Sequence, residues 1–206
     1  MLKQKNLQRA ITGALIIANL CLLVIYVSAW TTPHAQNKKK TISRWPTRLV
    51  YPVEITELKT NGKAVKADEE FDGDTDWLQA LTFKLKNKSD RTITYIALDI
   101  DFPETRAVGN GSITEHQIML GNDPENKLGH TPLHFLPGDS MEVPLAPEYK
   151  EIKTSLSHRL PLENVSNVLV RLHQVMFDDG TLWSAGNLYR RNPDSNGYPK
   201  WIKIDN

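Results

Sequence analysis

The strongest constraint in this sequence is an uncharged, mostly apolar run, Ala10–Trp30, behind a leader (residues 1–9) whose charged residues are Lys3, Lys5 and Arg9. As a helix, its 21 residues would span about 31 Å, roughly the thickness of a bilayer's hydrocarbon core. Helices in soluble cores usually have one apolar face, whereas this run is apolar on all sides. The run therefore predicts a transmembrane anchor or a signal peptide.

Two interpretations of this run predict different mature proteins. Small side chains at Val27-Ser28-Ala29 fit a signal-peptidase site, with cleavage after Ala29. However, the apolar segment Ile11–Tyr26 is longer than a usual signal core, and Trp30 lies where aromatic side chains favour a membrane interface. We expect an uncleaved single-pass anchor. The alternative is a secreted or periplasmic protein.

Basic residues flank the run on both sides, because a cluster within Lys38–Arg48 follows it. A count of charges alone would keep this second flank inside the cell. A short leader ahead of a long domain is nevertheless the usual export arrangement, so we expect the domain to be extracytoplasmic. Pro33 and Pro46 accompany the basic cluster, and this composition predicts a solvated stalk or linker over residues 31–48.

Charge and cysteine content exclude several classes of function. The first 30 residues hold three of the 25 basic residues and none of the 24 acidic ones, which leaves a formal net charge of −2 on the remainder. This balance does not suggest a nucleic-acid partner. The only cysteine, Cys21, lies in the apolar run, so the exported part has no disulfide and no thiol nucleophile.

The remaining residues have the pattern of strands separated by turns. Apolar Leu81, Phe83 and Leu85 alternate with polar residues, which is the period of a half-buried strand. Asn61-Gly62 and Asp179-Gly180 are strong hairpin signals. Because six to eight such strands occur without alternating helices, the pattern predicts an all-β antiparallel sandwich.

Three local details refine this prediction. In the strand from Thr92 to Phe102 the apolar positions change parity near Ala97, which predicts a bulge or burial of both faces. Residues Glu148–Leu160 have helical spacing and predict the one good helix after the anchor. Shorter strands are expected at Ile113–Leu120 and Leu133–Leu136.

Three segments resemble bacterial membrane-anchored extracytoplasmic proteins with Ig-like or fibronectin-type β-sandwich modules. The first is Leu85–Ile93 with the alternating apolar residues after it, which resembles the second and third strands of such modules. The others are Leu136–Ser140, which resembles their proline-glycine turn before a strand, and Phe177–Gly186, which resembles a closing hairpin. The resemblance extends over residues 49–190. It implies an Ig-like fold and an extracytoplasmic location, and no functional residue is carried over from it.

Histidines suggest a metal-binding alternative. His130 and His134 would share a face of an extended segment, and two imidazoles on one face can bind zinc or copper. A third ligand would have to come from His116 or His173. Because loop histidines are more often solvated, a periplasmic metal-binding protein using His130 and His134 is the second hypothesis, and we expect no bound metal or other cofactor.

No catalytic motif is present in the sequence. It has no glycine-rich phosphate loop, no His-Glu-x-x-His, no nucleophile elbow and no cysteine outside the anchor to pair with a histidine. A hydrolase without a located site is therefore the third hypothesis. We expect a protein that is not an enzyme.

The most distinctive composition lies near the carboxyl terminus. Aromatic and arginine side chains, which are enriched in recognition surfaces, are concentrated at Tyr189, Arg190, Arg191, Tyr198 and Trp201. The alternative is that the aromatic residues attach an irregular tail, residues 191–206, to the sandwich. These five residues are the predicted binding site of a non-enzymatic, membrane-tethered binding or assembly module, whose partner would be a protein or a glycan.

Overall fold

The computed structural model describes residues 38–44, 50–108, 111–123, 131–194 and 200–204. The predicted leader, anchor and cleavage site lie outside these residues. Within them, no helix has both the length and the hydropathy needed to cross a bilayer.

Most of the described regular structure is β-strand. Twelve strands form two sheets, accompanied by helices α1 (Thr105–Val108) and α2 (Tyr149–Ser157) and a 3₁₀ turn at Leu162–Asn164. The strands are β1 (Lys38–Arg44), β2 (Val53–Thr60), β3 (Lys63–Val65), β4 (Glu70–Gly73), β5 (Thr82–Asn87), β6 (Ile93–Phe102), β7 (Thr114–Gly121), β8 (Ser140–Pro144), β9 (Asn167–Phe177), β10 (Leu182–Ser184), β11 (Asn187–Arg191) and β12 (Trp201–Lys203). The predicted all-β class is confirmed.

Strand β9 organises the larger sheet, sheet A, which has eight strands. Strand β6 pairs with one edge of β9, and its own other edge pairs with β7. The opposite edge of β9 pairs first with β1, which continues to β4, and then with β10, which continues to β11 and β12. Sheet B has the strand order β3-β2-β5-β8. Among the described strands the β1–β9 pair is parallel and every other pair is antiparallel.

Both sheets contribute to a single hydrophobic core. Phe83 and Leu85 of sheet B are fully buried, as are Ile96 and Leu98 of sheet A. The alternation predicted at Leu81, Phe83 and Leu85 is therefore confirmed. Pro144 lies in β8 at the edge of sheet B, where its missing amide does not interrupt a ladder.

The parity change in β6 corresponds to bulges in its pairing with β9. The register shifts between Ile93 and Tyr95 and again between Ala97 and Leu98. Tyr95 and Ala97 are nonetheless as buried as the core-facing residues. Both parts of the prediction, a bulge near Ala97 and burial of both faces, are confirmed.

The two predicted hairpin turns are also confirmed. Asn61 and Gly62 have φ angles of 49° and 71° and connect β2 to β3. Positive φ at both central residues is the requirement of the type I′ turn. Gly180, with φ of 80°, lies in the turn between β9 and β10.

Strand β1 differs from the prediction, because residues 38–44 lie within the segment expected to be a solvated stalk. Lys40 is only 1% exposed, and its ammonium donates a 2.7 Å hydrogen bond to the Val165 carbonyl and lies 5.8 Å from the ring of Trp77. Burial lowers the pKa of Lys40. A lysine stem can be buried when its ammonium finds a partner, so a basic run does not exclude a strand.

The helix prediction is confirmed in α2, which buries Ile152 and Leu156. The predicted strand at Leu133–Leu136 is reduced to one bridge, between Phe135 and Ile93. In the segment expected to be an irregular tail, β12 instead pairs with β11 and extends sheet A. Backbone hydrogen bonds to β11 give this short segment its regular structure.

Candidate functional site

Polar side chains collect on the face of sheet A that points away from the core, here called the outer face. Residues directly opposite each other in an antiparallel ladder share a face, so the strand register identifies its members. From β7 across to β12, the polar and aromatic members placed by the register are Glu115, Gln117, Tyr95, Asp99, Asp101, Arg171, Gln174, Ser184, Asn187, Tyr189, Arg191, Trp201 and Lys203. His173 lies at the register shift of β9, and its hydrogen bond to Asp99 puts it on the same face.

A buried carboxylate organises one end of the outer face. The Asp99 side chain is 3% exposed, and its Oδ2 accepts hydrogen bonds from Arg171 Nη2 at 2.7 Å and from His173 Nδ1 at 2.8 Å. Its Oδ1 accepts a 3.0 Å hydrogen bond from Gln117 Nε2. Since an ionised carboxylate can only accept, the contact with His173 places the proton on Nδ1 and directs Nε2 away from Asp99. The group comprising Asp99, Asp101, Glu115, Gln117, Arg171 and His173 is called the Asp99 cluster.

Two further carboxylates surround the same guanidinium. Arg171 Nη2 lies 3.9 Å from Asp101 Oδ1 and 3.6 Å from Glu115 Oε2. Burial raises the pKa of Asp101, whose Oδ1 is buried without a hydrogen-bond donor. With three carboxylates around one guanidinium, the cluster does not favour an anionic ligand. Its hydrogen bonds instead hold Arg171 and His173 in position on the outer face.

The Asp99 cluster is not among the sites predicted from the sequence, although a signal for it exists. Asp99 and Asp101 occupy alternate positions in an otherwise apolar strand, and Arg171 and His173 do the same in β9. The two acidic side chains of β6 and the two basic side chains of β9 would be neighbours only if these strands paired in the right register. That pairing joins residues 72 positions apart, and the sequence does not specify it.

An aspartate that orients a histidine is also a component of acid–base sites. In the part of the chain that the structure describes, the nearby hydroxyl of Ser184 donates to the main-chain carbonyl of His173 at 3.4 Å rather than to its ring. A nucleophile would have to contact Nε2 of the ring. The described residues therefore provide an oriented imidazole without a hydroxyl bonded to it.

The predicted binding residues lie at the other end of the outer face. Arg191 is directly opposite Trp201, and Tyr189 is directly opposite Lys203, so these four side chains share the face. Arg190 is opposite Ile202 and points to the other face, on the same side as Leu188, which packs against the core. Tyr198 lies outside the described residues. The structure thus brings together three of the five predicted residues.

The described part of this region, residues 187–194 and 200–204, is called the basic ribbon. It contains four basic residues and one acidic residue, which are Arg190, Arg191, Lys200, Lys203 and Asp194. Both arginines are exposed, and neither forms an ion pair with a described residue. Tyr189 and Trp201 are half-buried. Arginine donors that no described residue pairs with therefore lie beside partly accessible aromatic rings.

The histidines proposed as metal ligands are separated in the structure. His130 lies outside the described residues, and His134 is exposed beside Phe135, which pairs with Ile93. His116 is opposite Ile100, which lies seven positions beyond Ile93 in β6. Along a strand this separates Ile100 from Ile93 by about 23 Å. His173 is hydrogen-bonded to Asp99, which lies six positions beyond Ile93 in β6. The structure brings neither His116 nor His173 to His134.

A cavity of about 770 Å³ lies between β1, β2 and β9. The charged residues that line it are balanced, with Arg44 and Lys88 against Glu54 and Asp68. Lys88 and Glu54 also pair with each other at 3.6 Å. The cavity therefore has no preference for ligand charge, in contrast to the basic ribbon.

Comparisons with protein-family models, with curated proteins and with solved structures each found no match.

Proposed function

We propose that this protein is a non-enzymatic binding module with an Ig-like β-sandwich, held at the outer side of a membrane by residues 10–30, and that its basic ribbon binds a carboxylate-bearing partner. The observation that carries the proposal is the exposed guanidinium of Arg191, which has no ion pair with a described residue and lies directly opposite Trp201. The partner would be an acidic protein segment or an acidic glycan.

The chemistry of the basic ribbon supports a carboxylate ligand. Arginine presents planar donors that match a carboxylate with two parallel hydrogen bonds. Aromatic side chains beside it provide contact area at a small cost in conformational entropy. The three excess positive charges of the basic ribbon would also attract an anionic chain before contact. Among the described strands β12 lies at the end of sheet A, so a partner can approach it without displacing any of them.

The strand register gives a test with a closely matched control. Arg191→Ala should weaken binding of a labelled oligoglutamate peptide or an oligogalacturonate about tenfold or more, because charged hydrogen bonds contribute about 1.5–3 kcal/mol. Arg190→Ala removes the same charge from the opposite face and should change the dissociation constant less than about twofold. Fluorescence anisotropy with each probe measures both effects and distinguishes a peptide from a glycan ligand.

Three results would contradict this assignment. The first is equal weakening in the Arg190→Ala and Arg191→Ala variants, which would indicate non-specific attraction by charge. The second is the absence of binding to both probes in the unmodified protein. The third is unchanged binding in Arg191→Ala together with a Trp201→Ala variant that melts at a lower temperature but binds normally once folded, because the ribbon would then serve only as a packed attachment.

The membrane tether has a separate test. We expect the mature protein to retain residues 10–30, because the uncharged run matches the thickness of the hydrocarbon core. Intact mass and amino-terminal sequencing of protein purified from its native membrane should find the complete leader. A mature chain that begins at Trp30 would instead identify a cleaved signal peptide.

A further inference from the structure

A second group of ionisable side chains lies on the opposite side of sheet A, where β7 meets the beginning of α2. His116 Nε2 is 3.0 Å from Glu148 Oε2. One ligand atom from each of His116, Glu148 and Glu151 can be chosen so that all three lie within 4.8 Å of one another. This group shares no residue with the Asp99 cluster or with the basic ribbon.

The fold determines how these three side chains meet. His116 is opposite Ile100, so its ring lies on the core-facing side of β7, where the side chain is 11% exposed. Glu148 is the residue before α2, and Glu151 follows three positions later, on the same side of the helix. Burial of Ile152 and Leu156 holds the helix against the core. The Glu148 side chain does not cap the helix, and its carboxylate contacts His116 instead.

We propose that His116, Glu148 and Glu151 bind a divalent first-row transition metal, with Zn²⁺ as the representative ion. One imidazole nitrogen and two carboxylate oxygens are a ligand set that suits such ions, while Ca²⁺ and Mg²⁺ prefer oxygen alone. Ligands about 2.1 Å from a tetrahedral ion lie about 3.4 Å apart. The observed spacing, 3.0 Å for one pair and below 4.8 Å for all, requires only small side-chain rotations to reach it.

The arrangement of charge also favours a cation. The carboxylates of Glu148 and Glu151 are close enough to repel each other, and an ion between them would remove this repulsion. Tyr149, between the two glutamates, donates a 2.8 Å hydrogen bond to Asp76 and so fixes the beginning of the helix. Three protein ligands would leave one position on the metal for water or another ligand.

The test is calorimetric titration of the full-length chain in detergent with ZnCl₂, beside CaCl₂ and MgCl₂. We expect one Zn²⁺ site and no comparable binding of Ca²⁺ or Mg²⁺. His116→Gln and Glu151→Gln should each weaken Zn²⁺ binding about tenfold or more, because each removes a ligand. Glu151 is exposed, so its substitution should leave the melting temperature without metal unchanged.

His134→Gln is the matched control, because it removes an exposed histidine whose neighbour Phe135 pairs seven positions along β6 from the residue opposite His116. This variant should bind Zn²⁺ as tightly as the unmodified chain does. The proposal would be overturned by the absence of Zn²⁺ binding, by unchanged binding in Glu151→Gln, or by loss of binding in His134→Gln. Arg191→Ala should not affect Zn²⁺ binding, so failure at this site and failure of the proposed partner binding are distinguishable.

Discussion

Asp99→Ala should lower the free energy of unfolding by about 3 kcal/mol, because it removes a buried charged acceptor, and a hydrogen bond to a charged group contributes about 1.5–3 kcal/mol. Asp99 accepts hydrogen bonds from Arg171, His173 and Gln117, and all three would be lost. Arg171 is 32% exposed and keeps two other carboxylates within 4 Å, which limits the cost. Asp99→Asn keeps the side-chain volume and one acceptor oxygen. It should therefore cost about half as much. Urea denaturation followed by tryptophan fluorescence measures both values.

The control for this prediction is Glu115→Ala, in the same cluster but with a 65% exposed side chain. Exposed ion pairs contribute little, so this variant should stay within about 0.5–1 kcal/mol of the unmodified protein. If Asp99→Ala and Glu115→Ala were equally stable, the Asp99 cluster would be solvated in solution. The buried network described for the outer face would then be wrong.

Phe83→Ala should also destabilise the fold by about 3–5 kcal/mol, the usual cost of removing a buried phenylalanine. Phe83 is 0% exposed, and it lies in β5 between Leu58 of β2 and Val143 of β8. Removing its ring would open a cavity in the core from the side of sheet B. The shift in the midpoint of chemical denaturation measures this cost, provided that the dependence of the unfolding free energy on denaturant concentration is unchanged.

Leu136→Ala is a suitable comparison, because Leu136 is a large apolar residue that is 43% exposed. Its loss should cost less than about 1 kcal/mol. A Phe83→Ala variant with an unchanged denaturation midpoint would place Phe83 on the surface. It would also contradict the register of β5 with both of its neighbours.

The alternation and turns of the chain are local properties, and the sequence predicted them well. Leu81, Phe83 and Leu85 alternate because one face of a strand is buried, and this can be recognised without knowing the partner strand. Asn61-Gly62 tolerates positive φ at both positions, which is sufficient to predict the turn. The helix was likewise recognisable from the spacing of Ile152 and Leu156.

The prediction failed where a residue's environment depends on distant partners. Residues 38–44 have the composition of a solvated stalk, yet the backbone of β1 pairs with both β4 and β9. Lys40 is buried because Val165, 125 positions away, supplies a carbonyl to its ammonium. Nothing near Lys40 in the sequence indicates that this acceptor exists.

The same distinction applies to the candidate sites. Composition alone selected Tyr189, Arg191 and Trp201, because aromatic and arginine side chains have the chemistry of recognition wherever they lie. Only the register of β11 with β12 put these three on one face and Arg190 on the other. The contact of His116 with Glu148 joins residues 32 positions apart through the packing of α2 against β7.

The sequence by itself determined the all-β class, the hairpin turns and the alternating core strands, because these depend on interactions between residues close together in the chain. It did not determine which strands pair, in what register, or which charged residues are buried. Those features follow from long-range packing, in which a shift of one residue would turn every side chain of a strand to the opposite face. Only the tertiary structure therefore decided that Asp99, Arg171 and His173 form one network.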